Sequence, residues 1–392
     1  MNEATRKFIY EHPDDDVNIL SLQASRFPGV DMPFAIRQIS GKQKIKLKIP
    51  SFYSCDELLY PQKLSLEQSS SEITAQHKSS LCEGEILCDL TGGFGVDCYF
   101  LSSRFKQTWY IESQSELCQL AEHNFPALGR TNICIVNDTA ENFLDNCGKA
   151  DWIYLDPARR LESGKKAVLL SDCEPDVALL QSKLLDKADH VMIKLSPMFD
   201  ISALRYELQH IREIQIVAIA NECKEIIVIL EKNYDTSPEI KTINFSKHST
   251  KEIFNFHIGE EQNAKIIFTS ALQQYLYEPN AAIMKSGAFG LISEKYDVNK
   301  LHINSHLYTS ENYITDFPGR IFKVEETVEF NKQSLRNLND KVKKANLTVR
   351  NFPLTVNELR KKIKITEGGD VYLFATTLSD NKKVLVKCSK VK

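Results

Sequence analysis

The sequence predicts an α/β protein built on a doubly wound sheet of seven strands, with a helical region before the sheet and smaller α+β domains after it. Three observations support this fold class. Short apolar stretches alternate with helical patterns between residues 85 and 230, as in mostly parallel sheets that are covered by helices. A glycine-rich turn follows the first of these stretches, and the alternation stops near residue 233.

Length and composition narrow the class of protein. The chain has 392 residues, of which 42% are hydrophobic and 26% charged, and a formal net charge of -3. These values are typical of a globular protein with more than one domain. No apolar run reaches the length of a membrane span, and the first residues lack the apolar segment of a signal peptide. The ten cysteines show no C-x-x-C spacing, so we expect free thiols and a cytoplasmic location rather than a disulfide framework.

We expect a mostly helical N-terminal region over residues 1–80. Within it, KQKIKLKIP (42–50) alternates charged and apolar residues, which predicts a short strand with one wet face. The stretch SLEQSSSEITAQHKSSL (65–81) predicts one helix, with Ser65 as N-cap and Gln68 at the third helical position, as in a capping box.

The sheet domain is expected over residues 81–235. Its seven predicted strands are ILCDL (86–90), WYIE (109–112), ICIV (133–136), WIYLD (152–156), HVMIKL (190–195), IQIVAIA (214–220) and EIIVIL (225–230). The last two are joined by NECK (221–224), which predicts a terminal antiparallel hairpin.

Two smaller α+β domains are expected over residues 236–330 and 331–392. In the first, Asn280 precedes an apolar-periodic helix that either Gly287 or Gly290 would end. The second domain is predicted to contain a helix, a strand, a turn and a helix, followed by strands within EGGDVYLFATTL (367–378) and KKVLVKCSK (382–390).

The last of these domains is strongly basic. From Lys332 to Lys392 the sequence has fifteen lysine and arginine residues against five aspartate and glutamate residues, a balance of about +10, so the rest of the chain carries about -13. Charge segregated in this way indicates that the basic segment meets a polyanion. The alternative is a lysine-rich solvated surface.

The turn in LCDLTGGFGVDCYF (87–100) is the first candidate binding site, because its glycines let the backbone turn sharply and approach a ligand. The candidate ligand residues are Asp89, Thr91, Gly92, Gly93, Gly95 and Asp97. Their spacing matches neither the dinucleotide pattern G-x-G-x-x-G nor a P-loop. Carboxylates on both sides of the turn disfavour a phosphate and suit a ligand that carries an amino group and a sulfonium.

Acidic residues also follow the second and third predicted strands. Glu112 lies 23 residues after Asp89, where doubly wound sheets commonly chelate ribose hydroxyls. Asp138 could accept a hydrogen bond from an adenine amino group. Loops after strands are rich in acids in any case, so neither residue is diagnostic alone. Together with the turn, they indicate an adenosine moiety without a phosphate.

Four motifs resemble those of class I S-adenosylmethionine-dependent methyltransferases: DLTGGFGVD (89–97), the acid in YIESQ (110–114), ND (137–138) and LDPARR (155–160). The whole chain resembles a bacterial group of such enzymes with a ferredoxin-like middle segment and a THUMP-like C-terminal domain, the latter through residues 345–378.

This resemblance implies a Rossmann-like methyltransferase sheet over residues 81–235, a ferredoxin-like domain over 236–330 and a basic THUMP-like domain over 331–392. It also implies S-adenosyl-L-methionine as the cofactor. Because THUMP domains are associated with RNA, it implies a structured RNA substrate, tRNA or rRNA, with no membrane partner.

The resemblance assigns Asp156 and its neighbours to the reaction. In methyltransferase sheets strands one and four are adjacent at the switch point, so Asp156 and Pro157 should lie beside the glycine-rich turn. In amino-group methylases with D-P-P-x or N-P-P-x at this place, the Asp side chain and the Pro carbonyl accept hydrogen bonds from the exocyclic amino group, which orients it for in-line displacement. The aromatic residue that usually follows is replaced by Arg159 and Arg160, which could stack on a base or hold a phosphate.

The residues at the end of strand five distinguish direct methyl transfer from transfer through a cysteine nucleophile. Uracil-C5 methylases also carry Arg after D-P-P, but they use a cysteine nucleophile after strand five, where this chain has Lys194-Leu195-Ser196-Pro197. Without a thiolate, covalent C5 chemistry is disfavoured. Lys194 could hold a phosphate or pair with Asp156. The residues predicted to take part in catalysis are Asp156, Pro157, Arg159 and Lys194. The nine histidines form no metal-binding pattern.

Two functions fit these observations. The first is an S-adenosylmethionine-dependent RNA methyltransferase that transfers the methyl group directly, without a cysteine nucleophile. The second is an RNA-binding protein whose methyltransferase core binds the cofactor but is inactive, because the motif after strand four is altered. A nicotinamide oxidoreductase is excluded by the missing third glycine and by acids where phosphates would lie.

Overall fold

The computed structural model describes residues 1–159, 169–246 and 250–391. The chain divides into two compact units, one formed by Met1–Arg212 with Val228–Asp235 and the other by Glu213–Ile227 with Thr236–Lys392. All ten cysteines are free thiols. Within the described ranges, no helix is both long and apolar enough to cross a membrane.

The first unit begins with six helices: α1 (Glu3–Glu11), α2 (Val17–Leu22), α3 (Met32–Ile45), α4 (Pro50–Tyr53), α5 (Lys63–Gln68) and α6 (Glu72–Ser79). The strand predicted over residues 42–50 is wrong, because α3 runs to Ile45 and a turn leads into α4. A strand would place Ile45, Leu47 and Ile49 on one face, yet Leu47 is 93% exposed while Ile45 and Ile49 are buried. Their spacing of four is the helical one, and it is continued by buried Phe52 in the same core cluster.

The single helix predicted over residues 65–81 is also wrong. Ser65 lies inside α5, and the chain is extended at Ser69 before α6 begins. Ser71, rather than Ser65, is an N-cap, since its hydroxyl accepts a hydrogen bond from the backbone N–H of Thr74 at 3.3 Å. Serine competes for backbone hydrogen bonds, and three in a row favour this break.

The sheet region continues with β1 (Gly84–Asp89), α7 (Val96–Leu101), β2 (Phe105–Ile111), α8 (Ser115–Ala127), β3 (Ile133–Val136), α9 (Ala140–Asn146), β4 (Ala150–Leu155), β5 (Ala158–Arg159), β6 (Cys173–Glu174), α10 (Val177–Lys187), β7 (Ala188–Leu195), α11 (Ile201–Glu207), β8 (Ile211–Ile219), β9 (Glu222–Glu231), β10 (Glu239–Phe245) and β11 (Lys251–His257). The main sheet has nine strands in the order β11-β10-β8-β9-β7-β4-β1-β2-β3. All seven predicted strands are present. The predicted hairpin of β8 and β9 does not end the sheet, because β10 pairs with β8 and β11 pairs with β10. The neighbouring strands β8 and β9 are joined by Ala220 and Asn221, both with positive φ, as in a type I′ hairpin turn.

The register of the central strands places four chain segments at one edge of the sheet. β1 is parallel to β2 and β4, with Asp89 opposite Tyr110 and Tyr154. β4 is parallel to β7, with Leu155 opposite Ile193. The carboxyl ends of these strands, and the residues that follow them, therefore meet at the switch point where doubly wound sheets bind ligands.

The second unit continues with α12 (Glu260–Asn263), β12 (Tyr275–Pro279), α13 (Ala281–Ser286), α14 (Phe289–Lys295), β13 (Asn299–Lys300), β14 (Tyr308–Ser310), β15 (Gly319–Glu329), α15 (Lys332–Lys341), β16 (Asn346–Arg350), α16 (Val356–Ile363), β17 (Val371–Thr377) and β18 (Lys383–Lys390). Its sheet has seven strands in the order β13-β14-β12-β15-β18-β17-β16. Asn280 caps α13 through hydrogen bonds from two backbone N–H groups, and Gly287 ends it at a φ of 79°, whereas Gly290 lies within α14. The helices and strands predicted in the basic segment are confirmed.

Candidate active site at the carboxyl edge of the main sheet

The glycine-rich turn and the Asp-Pro motif lie side by side. The backbone N–H of Asp156 donates a hydrogen bond to the Thr91 hydroxyl at 2.6 Å. Just before this contact, the N–H of Leu90 donates to the carbonyl of Tyr154 at 3.0 Å. The two segments that sequence reasoning expected to share a crevice are thus connected directly.

The glycines of the turn are required by close packing. A side chain at Gly92 would place its Cβ 2.2 Å from the ring of Tyr110, and one at Gly95 would place it 2.8 Å from the ring of Phe125. Gly93 and Gly95 also have positive φ values of 56° and 84°, which residues with a Cβ adopt rarely. The backbone of the turn therefore packs directly against aromatic side chains of β2 and α8.

Asp89 ends β1 with a carboxyl group that is only half satisfied. Its side chain is 1% exposed, and Oδ1 accepts a hydrogen bond from the N–H of Thr91 at 3.1 Å. In the described part of the chain, Oδ2 is buried without any hydrogen-bond partner. Burial, together with the nearby acids Asp97, Asp156 and Glu112, raises the pKa of Asp89 well above its ordinary value. An unsatisfied buried carboxyl oxygen is costly unless a ligand supplies a donor.

Glu112 follows β2 and is fixed against the same turn. Its Oε2 accepts a hydrogen bond from the N–H of Gly93 at 2.9 Å, and its Oε1 accepts one from the N–H of Gln114 at 2.8 Å. Asp138 follows β3, where its Oδ1 accepts from the N–H of Thr139 at 2.8 Å. These contacts leave lone pairs on both carboxylates for hydroxyl or amino donors.

Asp97 lies in the first turn of α7, and partners that sequence reasoning missed surround it. Its Oδ2 accepts hydrogen bonds from the hydroxyls of Ser70 at 2.7 Å and Tyr154 at 2.8 Å. Its Oδ1 is 3.2 Å from Nζ of Lys78, which is completely buried in α6. Burial alone would raise the pKa of Asp97, but the ammonium groups of Lys78 and Lys194 and the two hydroxyls lower it. The carboxylate that was predicted to face the cofactor is compensated by side chains of the protein itself.

Lys194 near the end of β7 pairs with Asp156, which was one of its two predicted roles. Its Nζ is 2.5 Å from Oδ2 of Asp156, 3.6 Å from Oδ2 of Asp97 and 3.2 Å from the hydroxyl of Ser70. The Asp156 side chain is 36% exposed, yet desolvation of its carboxyl group raises the pKa, and Lys194 opposes the increase. We refer to Ser70, Lys78, Asp97, Tyr154, Asp156 and Lys194 as the lysine–aspartate network.

No sequence motif marks Ser70 or Lys78. Lysine is almost never fully buried without a partner, so the sequence predicts that a lysine in α6 is exposed at the surface. The only available signal was that Lys78 stands four residues after Thr74 and three after Ala75, both of which are buried, on the inward face of a helix.

The remaining predicted residues lie just after β4. Pro157 is half-buried, and Arg159 is exposed in β5, where it is paired with Cys173 of β6. Arg160 lies outside the described residues. The catalytic role of Arg159 stays a prediction. No group of three or more histidine, cysteine, aspartate or glutamate side chains in the described ranges could hold a metal ion.

Comparisons with known proteins place the chain in a family. Family models match it as a ferredoxin-like domain over residues 275–318 and as a THUMP domain-like segment over residues 319–390. A crystal structure of a proposed methyltransferase from Porphyromonas gingivalis W83 is 35% identical in sequence and superposes with a TM-score of 0.90, covering 99% of this chain and 98% of that one. The chain belongs to this family of class I methyltransferases with a ferredoxin-like segment and a C-terminal THUMP-like domain.

Two further solved structures, both of methyltransferases, are similar to part of this chain. An rRNA methylase from Streptococcus thermophilus is 17% identical, with a TM-score of 0.32, and covers 42% of this chain and 98% of that one. A proposed methyltransferase from Streptococcus mutans in complex with S-adenosylhomocysteine is 16% identical, with a TM-score of 0.32, and covers 41% of this chain and 96% of that one. No curated protein gives a significant sequence match.

Proposed function

We propose that the protein is an S-adenosylmethionine-dependent methyltransferase that modifies a base of a structured RNA, tRNA or rRNA, by direct in-line transfer. One observation carries the proposal: the backbone of Asp156 is hydrogen-bonded to Thr91 of the glycine-rich turn. This contact supports the proposal because it joins the acid that would orient a target amino group to the turn that would hold an adenosyl cofactor.

The residues at the edge of the sheet fit that cofactor. The buried, unpartnered oxygen of Asp89 suits a positively charged donor. At Gly93 the turn is open, since the Thr91 carbonyl oxygen, 3.8 Å away, is the only neighbouring atom among the described residues within 4 Å of where a Cβ would stand. Glu112 and Asp138 would hold the ribose hydroxyls and the adenine amino group, with the turn residues Thr91, Gly92, Gly93 and Gly95 beneath them. S-adenosylmethionine, when bound, supplies an electrophilic methyl group.

Asp156 has one carboxylate oxygen for the substrate. Oδ2 pairs with Lys194, whereas no hydrogen bond to Oδ1 is formed by the described residues. Oδ1 can therefore accept a hydrogen bond from an exocyclic amino group, and the carbonyl of Pro157 can accept a second. Two acceptors hold the nitrogen lone pair in one direction, and such orientation accounts for much of the acceleration of a bimolecular transfer. Lys194 fixes the carboxylate and opposes the rise of its pKa that burial causes, and no cysteine nucleophile takes part.

The RNA substrate is supported by the C-terminal domain. Its basic excess suits a polyanion, and the family model over residues 319–390 is THUMP domain-like, a type of domain associated with RNA. The rival possibility is an RNA-binding protein with an inactive core, motivated by Arg159 where an aromatic residue is usual.

The nucleosides of cellular RNA distinguish these possibilities. RNA from cells that lack the protein should be missing one methylated nucleoside by mass spectrometry. Expression of the wild-type protein should restore it, and the Asp156→Ala variant should not. An unchanged nucleoside profile in the deletion strain would reject the enzymatic function and favour the inactive-core alternative.

A further inference from the structure

A groove between α15 and α16 has an unusual lining. Its volume is about 480 Å³, and the residues around it include four cations, Lys332, Arg336, Lys362 and Lys364, and no acidic residue. Phe330 and the buried aliphatic side chains of Leu335 and Ile363 form its apolar surface.

These four cations are not compensated by the protein. Elsewhere in the same domain basic residues pair with acids, as Lys387 does with Glu325 at 2.9 Å and Lys341 with Glu326 at 3.6 Å. Within the described residues, none of the four cations of the groove makes an ion pair. Four uncompensated positive charges around one concavity attract an anion.

Helix stability does not explain where two of these lysines stand. Lys332 is the first residue of α15, where the helix dipole disfavours a cation. Lys364 ends α16 in the left-handed conformation with a φ of 53°, at a place where glycine is the usual residue. Both positions therefore carry lysine against local preference.

Phe330 adds an aromatic surface to this charged groove. The edge-to-face contact with Phe352, at 4.8 Å between ring centroids, holds its half-buried ring, and Nζ of Lys362 lies 4.8 Å from its centroid. An aromatic ring beside phosphate-binding cations is the combination by which proteins bind single-stranded nucleic acid, with bases stacked on rings and phosphates on cations.

We propose that this groove binds an unpaired stretch of RNA, with a base against Phe330 and flanking phosphates on the four cations. Its volume suits a ligand of nucleotide size, whereas double-stranded RNA is recognised by shape over a much longer surface. The inference rests on the proposed function for the choice of RNA, and it adds that the substrate is captured through a single-stranded segment.

The test is fluorescence anisotropy of the full chain with a short oligouridylate, alone and annealed to its complement. Phe330→Leu should weaken single-strand binding at least about fivefold, since stacking of one base contributes about 1–3 kcal/mol. The double variant with Arg336→Gln and Lys362→Gln should also make the slope of log affinity against log salt shallower by about 1.4, because each phosphate contact on a single strand contributes about 0.7.

Lys361→Gln is the matched control, because Lys361 is an exposed neighbour on α16 that does not line the groove. It should bind as the wild type does, and thermal unfolding of each variant confirms that the fold is intact. The inference is overturned if the double variant and Lys361→Gln bind equally, if folded Phe330→Leu binds normally, or if the duplex binds as tightly as the single strand. Groove-dependent binding by a protein that transfers no methyl group would support this inference and reject the proposed activity.

Discussion

Two buried lysines and two aspartates determine the charge state of the candidate active site. Lys78 and the hydroxyl groups of Ser70 and Tyr154 satisfy Asp97, so that Lys194 pairs most closely with Asp156. Ion pairs of this kind add little when complete, but the removal of one partner leaves an uncompensated buried charge. Lys78 therefore influences Asp156 without contacting it.

Replacement of Lys78 by methionine should destabilise the protein by about 3–5 kcal/mol at neutral pH. The folded-state pKa of Asp97 is lowered from 3.8, so its contribution to stability is present above that value and is lost as the pH falls through the folded pKa. The deficit of the Lys78→Met variant should therefore shrink below about pH 4. Urea unfolding at several pH values measures it.

The control for this measurement is Lys44→Met, which removes an exposed pair with Glu67 at 2.9 Å and should have little effect on stability, because solvent screens the pair. Equal losses of unfolding free energy in the two variants would show that the charge of Lys78 is not needed.

Asp89 should make cofactor binding release protons. Its pKa is raised in the free protein, and a cationic ligand beside it favours the ionised form. The affinity for S-adenosylmethionine should therefore rise with pH, up to the raised pKa. Calorimetry in buffers of different ionisation enthalpy measures the protons released, and Asp89→Asn should abolish their release. Proton release that persists in this variant would assign it to another group.

At the scale of elements, the interruption between α5 and α6 brings Ser70 into the network. Ser70 donates to Asp97, and Nζ of both Lys78 and Lys194 lies within 3.2 Å of its hydroxyl. The extended residues before α6 are thus part of the candidate site, and they connect the N-terminal helices to the carboxyl edge of the main sheet.

Neighbouring serines provide a matched pair of variants. Ser71→Ala removes the N-cap of α6 and should cost about 1 kcal/mol of stability with little effect on methyl transfer. Ser70→Ala should slow methyl transfer about 10- to 100-fold, the effect expected when a reactive group is displaced slightly. Rates and thermal unfolding of both variants, compared with the wild type, measure these effects. Equal rates for both variants would contradict a positioning role for Ser70.

Sequence patterns predicted the elements whose burial follows chain spacing and failed where tertiary contacts decide. The seven apolar stretches form strands. Asn280 begins α13 and Gly287 ends it, because cap preferences act locally. The alternation over residues 42–50 is compatible with a strand as well as with a helix. Tertiary packing decides between them, and it leaves Leu47 exposed. The acids at the strand ends and the Asp-Pro motif could be located from the sequence, but the burial of Lys78 depends on a carboxylate 19 residues away.

At the scale of the whole molecule, the two compact units carry different parts of the proposed function. The residues proposed to bind the cofactor and the lysine–aspartate network belong to the first unit, and the basic groove belongs to the second. The core cluster around Phe52 lies within the first unit and the cluster around Leu359 within the second, so binding of the two ligands should be separable.

Separability can be measured by reciprocal variants. Glu112→Ala should weaken S-adenosylmethionine binding about 10- to 100-fold, since a hydrogen bond to a charged group contributes about 1.5–3 kcal/mol, and should leave RNA affinity unchanged. The groove variant with Arg336→Gln and Lys362→Gln should show the opposite behaviour. Calorimetry and anisotropy on the same preparations provide both affinities. A folded variant that loses affinity for both S-adenosylmethionine and RNA would contradict the assignment of the two ligands to separate units.

The most direct measurement is transfer of a labelled methyl group from S-adenosylmethionine to RNA isolated from cells that lack the protein. The wild type should label the RNA, and Asp156→Ala should bind the cofactor with unchanged affinity but transfer no label. Wild-type protein that leaves the RNA unlabelled, or Asp156→Ala that labels it at the wild-type rate, would contradict the proposed role of the Asp-Pro motif.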